Sequence, residues 1–227
     1  MVVKVIIPAF NEEESIAKVI KTIPQELVTE IIVANNNSSD NTSEEATKAG
    51  ATVVTQKLPG YGNACLKGME YIANTTEKPD AIVFIDGDFS DYPEQMVDLI
   101  DKINEGYDLV IGSRALGKKE KGSMTPPQIF GNWLSTFLIK IFYGFSYTDL
   151  GPFRAITYKA LLDLDMQDKN YGWTVEMQLK AVHKKMRIIE IPVDYKKRIG
   201  TSKISGTIKG VIFAGIKIIT TIFKYRK

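Results

Sequence analysis

The chain has 227 residues, 44% hydrophobic and 25% charged, which is enough apolar side chain for one core of ordinary domain size. Its single cysteine, Cys65, excludes an internal disulfide and a thiol-rich metal site, and suits a reducing compartment. Net charge is +2, but residues 195–227 hold nine Lys or Arg and no acid, while the other 20 basic side chains stand against all 27 acidic ones. A basic tail on an acidic body points to a polyanionic partner: phosphate, anionic lipid or nucleic acid.

The first residues, Met1-Val2-Val3-Lys4-Val5-Ile6-Ile7-Pro8, lack a signal-peptide pattern and read as a buried strand. The cytoplasm is therefore the expected address. Further β-branched runs of strand length follow at 30–34, 51–55, 81–85 and 109–111. Between them, 12–23, 41–49, 63–73 and 94–104 carry apolar residues at helical spacing. Ser15, Asp40 and Pro93 stand at expected helix starts, and Gly50 and Gly106 beyond expected ends. This alternation predicts an α/β fold with a mainly parallel sheet covered by helices on both faces.

Ligands of such sheets lie beyond the carboxyl ends of the strands. The residues found there are polar: Pro8-Ala9-Phe10-Asn11-Glu12-Glu13, Asn35-Asn36-Asn37-Ser38-Ser39-Asp40, Asp86-Gly87-Asp88 and Gly112-Ser113-Arg114. Asp86 and Asp88 are spaced so that both carboxylates can face one cation. Hard oxygen donors suit Mg²⁺ or Mn²⁺ bridging substrate phosphates. The bland reading of D-G-D is a solvated turn, and its place beside three other polar loops argues against that.

Taken in order, these loops resemble the family-2 glycosyltransferases of GT-A (Rossmann-like) fold, and within them the dolichol- and polyprenol-phosphate sugar synthases. The resemblance adds Gly60-Tyr61-Gly62-Asn63-Ala64, Gly151-Pro152-Phe153-Arg154-Ala155 and Arg198-Ile199-Gly200-Thr201-Ser202-Lys203. It implies inverting transfer of a hexose from a UDP- or GDP-sugar to a polyprenyl phosphate. It assigns Pro8, Phe10, Glu12, Asn36, Asp86 and Gly87 to the nucleotide sugar, with Asn36 where many relatives have a base-contacting Asp. Asp86 and Asp88 would hold the metal. Ser90 stands where some relatives place a further ligand.

A phosphate acceptor is already ionised and needs no general base, whereas a hydroxyl does. For the first case Arg114, Arg198, Ser202 and Lys203 are candidate phosphate-binding residues. For a glycan or protein hydroxyl, Glu176 is the candidate base. A second arginine that some lipid-phosphate relatives carry has no counterpart in Phe130-Gly131-Asn132-Trp133-Leu134. A non-catalytic module docking a polyanion through the tail is the reading of another class, though the acidic D-G-D edge is ill suited to nucleic acid.

Two apolar helical patterns, 129–145 and 208–223, remain. The second has Ile208, Val211, Ile212, Ile216, Ile219, Ile222 and Phe223 on one side and Lys209, Lys217 and Lys224 opposite. It is short for a span and carries Lys217 at its middle, which favours a helix lying in the interface with lysines toward headgroups. The expected organisation is a catalytic domain over 1–204 and a basic amphipathic helix over 205–227, peripheral on the membrane's inner face. The same apolar face admits docking on the sheet or a second subunit. His183, alone in a basic helix, is read as a surface residue, and Trp173 as core or a sugar-stacking ring.

Overall fold

The computed structural model describes residues 1–201 and 208–226. Seven strands form one sheet in the order β3-β2-β1-β4-β6-β5-β7. They are β1 (Val3–Ala9), β2 (Glu30–Asn35), β3 (Thr52–Thr55), β4 (Ala81–Phe84), β5 (Leu109–Ser113), β6 (Arg154–Thr157) and β7 (Ile188–Pro192). The expected mixed, mainly parallel sheet is present, with β6 alone running antiparallel to its neighbours β4 and β5. Sequence reading found the first five strands. It passed over β6 and β7, whose few residues are interrupted by charge or proline and show no alternating pattern.

The helices are α1 (Ile16–Thr22), α2 (Thr42–Lys48), α3 (Tyr61–Asn74), α4 (Met96–Asn104), α5 (Pro126–Tyr143), α6 (Tyr158–Leu164), α7 (Trp173–His183) and α8 (Ile208–Lys224). Gly50 and Gly106 follow α2 and α4 at φ +97° and +91°, a conformation glycine adopts without the Cβ penalty. Two hydrophobic layers result, one on each face of the sheet. Strand alternation sorts them: Val3, Val5 and Ile7 of β1 face the layer with Ile16, Val19, Ile20 and Leu99, while Ile6 faces the layer with Ile72, Phe84 and Trp173.

From β1 the sheet grows in two directions, toward β2 on one side and β4 on the other. That reversal opens a crevice beyond the carboxyl ends of β1 and β4, where open α/β sheets bind ligands. Because β6 is antiparallel, its start lies at this edge, which brings residues 147–154 into the neighbourhood of the loop after β5.

At its carboxyl-terminal half α8 packs on α5 and α7 through Ile222, which is fully buried, and through the Phe142–Phe223 ring contact. The 204/205 boundary expected from the sequence lies outside the described residues. Among the described residues no helix is long and apolar enough to cross a membrane.

Candidate active site

A cleft of about 360 Å³ opens at the switch point between β1 and β4. Its walls include Pro8, Phe10, Glu12, Asn36, Asp86, Gly87, Asp88 and Arg198. Eight residues singled out from separate segments of the sequence therefore share one concavity. Phe10 is 44% exposed at the cleft, an apolar ring open to a ligand.

The two aspartates are held differently. Asp88 Oδ1 accepts from the Ser90 backbone N–H at 2.9 Å and from the Ser90 hydroxyl, so Ser90 orients Asp88. Its Oδ2 meets the Arg198 guanidinium at 3.1 Å. Arg198 also reaches Glu12 Oε1 at 2.6 Å, and its segment is pinned by Lys196 N–H on the Ser90 carbonyl and Ile199 N–H on the Asp88 carbonyl. Asp86 Oδ1 accepts from the Tyr61 hydroxyl at 3.1 Å. Burial, and then the neighbouring Asp88 charge, lift the Asp86 carboxyl to about 7.

Among the described residues no three His, Cys, Asp or Glu side chains are grouped to hold a metal by themselves. The donor set nevertheless fits a divalent ion that arrives with a diphosphate. Asp88 Oδ2 already faces a cation, the guanidinium, and such ions keep most of their shell for water and phosphate oxygens.

Other expectations need correction. Arg114 does not line the cleft. It forks onto Asp149, Nε to Oδ2 at 2.8 Å and Nη2 to Oδ1 at 2.7 Å, with its backbone N–H on the same carboxylate and Tyr195 over its face. Against the cost of burial, the Arg114 charge holds Asp149 below the usual carboxylate range. Arg114 is thus half of a fixed ion pair beside the cleft rather than an open phosphate-binding group. Asn36 lines the cleft with its amide tied to the backbone: Nδ2 donates to the Gln56 and Leu58 carbonyls and Oδ1 accepts from Gly60 N–H. It staples the loop before α3, and Oδ1 keeps a second lone pair beyond the Gly60 bond.

Glu176 is fully buried and absent from the cleft. Its oxygens accept from Gln167 and Asp168 N–H, from Tyr225 OH at 2.7 Å and from Lys180 at 2.7 Å. Both of its oxygens are thus engaged by neighbours within the fold. Lys217, expected to face headgroups, pairs with Asp168 at 2.9 Å while its side chain stays half exposed. Trp173 packs against Phe84 in the core. His183 joins α7 to the end of α8 through the Tyr225 carbonyl. Ser202 and Lys203 lie outside the described residues.

Three residues escaped sequence reading. Asp149 carried no motif of its own. Tyr61 looked like part of a glycine turn. Asp91 is buried beside the site with neither carboxylate oxygen hydrogen-bonded among the described residues, and burial pushes its pKa well up.

Residues 4–164 match the family described as Glycosyl transferase family 2. An uncharacterized glycosyltransferase from Mycobacterium tuberculosis is 32% identical over 215 residues, covering 93% of this chain and 94% of that protein. The undecaprenyl-phosphate mannosyltransferase of Micrococcus luteus is 30% identical over 226 residues, covering 92% and 90%. The fold is shared with glucosyl-3-phosphoglycerate synthase from Mycobacterium tuberculosis, solved with Mn²⁺, UDP and glucosyl-3-phosphoglycerate, at TM-score 0.78 and 21% identity over 99% of this chain and 80% of that one.

Proposed function

Since the chain belongs to glycosyl transferase family 2, we propose that it transfers a hexose, with inversion, from a UDP- or GDP-sugar to a polyprenyl phosphate. The observation that carries this reading is the cleft itself, which gathers Phe10 and Glu12 with Asp86, Asp88 and Arg198. An open aromatic ring suits a nucleobase, and a carboxylate suits ribose hydroxyls. Asp86 and Asp88 would hold Mg²⁺ or Mn²⁺. Such an ion supplies charge neutralisation on the departing nucleoside diphosphate. Ser90 and Tyr61 fix the two carboxylates in place for it, and Arg198 is the cation at hand for phosphate oxygens.

A phosphate acceptor is favoured by the burial of Glu176, the base assigned to a hydroxyl acceptor. Glu176 is sealed by four donors, so a hydroxyl acceptor would lack the proton acceptor assigned to it. A lipid is favoured by the surface next to the site. A second cavity, about 350 Å³, runs from Asp149, the partner of Arg114, to Met124, Ile129 and Trp133. Beyond it α5 exposes Phe130 and Phe137, and α8 exposes Ile212, Phe213 and Ile216. Large exposed apolar side chains, with Phe130, Trp133 and Phe137 in ring contact along α5, suit a membrane interface. The relative named as an undecaprenyl-phosphate mannosyltransferase supports the same acceptor class.

The test offers radiolabelled UDP- and GDP-hexoses with polyprenyl phosphate and Mn²⁺. A chloroform-soluble labelled product is expected. Label passing only to a water-soluble acceptor would overturn the lipid reading.

A further inference from the structure

We infer that α8 is a strut for the outer wall of the donor cleft, with Lys217 and Tyr225 positioning residues 167–172. The inference rests on the nucleotide-sugar reading of that cleft and adds the residues that hold its shape.

Asn170 and Tyr171 line the cleft, yet segment 167–172 belongs to no strand and to no helix. It crosses the start of α3 so closely that a side chain at Gly60 or Gly62 would overlap the Lys169 or Asp168 carbonyl. Asn63 N–H donates to the Lys169 carbonyl at 3.0 Å. The glycines before and within α3 are therefore required by the passage of this segment.

Its backbone N–H groups end on two carboxylates. Gln167 and Asp168 donate to Glu176, and Asn170 and Gly172 donate to the Asp168 side chain. Each carboxylate has a partner on α8 or just past its end: Lys217 Nζ lies 2.9 Å from Asp168 Oδ2, and Tyr225 OH donates to Glu176 Oε1 at 2.7 Å. Between them, Thr221 stands against Gly172, where any side chain would collide with its hydroxyl. Positions 217, 221 and 225 fall at successive i,i+4 steps, so they share one face. Two of the three polar groups on that face, Lys217 and Tyr225, are spent on the carboxylates that hold the loop, while the Thr221 hydroxyl donates to the Lys217 carbonyl and packs against Gly172. An element that only covered the core would not need them.

The helix that offers Ile212, Phe213 and Ile216 outward thus braces the donor side inward. Loss of either tie loosens a carboxylate that holds amides of the wall, without touching a cleft-lining residue.

The test uses the full chain with Lys217→Met, Tyr225→Phe and Lys217→Arg. Hydrogen exchange at residues 167–172 and the affinities of Mn²⁺–UDP and Mn²⁺–GDP are measured on each. Lys217→Met and Tyr225→Phe should speed exchange there and weaken nucleotide binding about 3- to 10-fold, with Lys217→Arg restoring both. Unchanged exchange overturns the strut. Faster exchange with unchanged nucleotide affinity overturns its link to the donor cleft. If the unsubstituted chain binds neither nucleotide, the donor reading falls instead, and the exchange result alone upholds or overturns the strut.

Discussion

Arg198 and Asp88 face each other across the cleft at 3.1 Å, with the same guanidinium closing on Glu12 at 2.6 Å. A cation thus occupies the approach to the oxygen expected to ligand the metal. Arg198 is only partly buried, so the pair is modest in strength. Arg198→Gln should therefore strengthen Mn²⁺ binding without nucleotide by about 1 kcal/mol, or about fivefold. Transfer should fall in the same variant, because the diphosphate and acceptor phosphate lose a positive partner. Titration of Mn²⁺ by its paramagnetic signal checks the first effect and a product assay the second. Parallel changes in both would contradict the arrangement.

The Asp86 carboxyl, lifted to about 7, gives metal binding a pH dependence. A raised carboxyl holds a proton that the unfolded chain has already released, so this group favours the folded state at low pH and ceases to as pH rises through 7. Ion binding has the opposite sign, since the metal requires the ionised form. Mn²⁺ affinity should rise by up to about tenfold per unit as pH approaches 7 and level off above it. Asp86→Asn should abolish the slope. A flat profile between pH 5.5 and 8 in the unsubstituted chain would contradict a lifted Asp86.

Glu176→Gln separates architecture from chemistry. The amide offers an N–H₂ group to the Gln167 and Asp168 N–H donors and leaves Lys180 without its charge partner. Breaking one side of a buried pair of this kind costs about 3–5 kcal/mol, seen as a lowered denaturation midpoint. Protein that remains folded should keep its turnover at saturating donor, with a raised KM for the donor as the wall at 167–172 loosens, because no proton passes through this side chain. Full stability with abolished transfer would reinstate Glu176 as a base.

The loops after β1 and β4 were legible because each is a polar cluster directly following an apolar run, and strand ends fix where such clusters must go. Asp86, Asp88, Glu12 and Phe10 were found that way, and the cleft unites them. What sequence could not show was which charges would be spent on each other. Arg114 and Asp149 lie 35 positions apart, joined only because β6 runs antiparallel and delivers Asp149 to the end of β5. Glu176 meets its partners from the α6–α7 connection and from beyond α8 through packing that no local pattern encodes. Asn36 shows the same limit: its type is compatible with base contact, and only the fold reveals three backbone partners. Lys217 was placed on the outer face because helical period alone cannot say which side of α8 meets the protein.

The exposed face of α5 gives the acceptor reading its sharpest consequence. Trp133 and Phe137 stack with ring centres 5.7 Å apart and planes 11° from parallel, and Phe130 adjoins Trp133 at 5.8 Å. Trp133 is 57% exposed, so its ring rests on helix neighbours while most of its surface meets solvent. Burying a large apolar side chain is worth about 1.5–3 kcal/mol, and a glutamate adds repulsion from anionic headgroups. Trp133→Glu should therefore lower co-sedimentation with vesicles of anionic phospholipid by at least about tenfold. Because the side chain lies outside the core, the variant should unfold at the same denaturant concentration as the parent. Donor binding should also survive, since the nucleotide cleft contains no residue of α5. Transfer to polyprenyl phosphate in vesicles should drop with binding, while transfer to a short-chain, detergent-dispersed acceptor should fall less. If Trp133→Glu instead splits a dimer in sedimentation velocity and leaves vesicle binding intact, the face joins two copies of the chain, and the membrane must be met elsewhere.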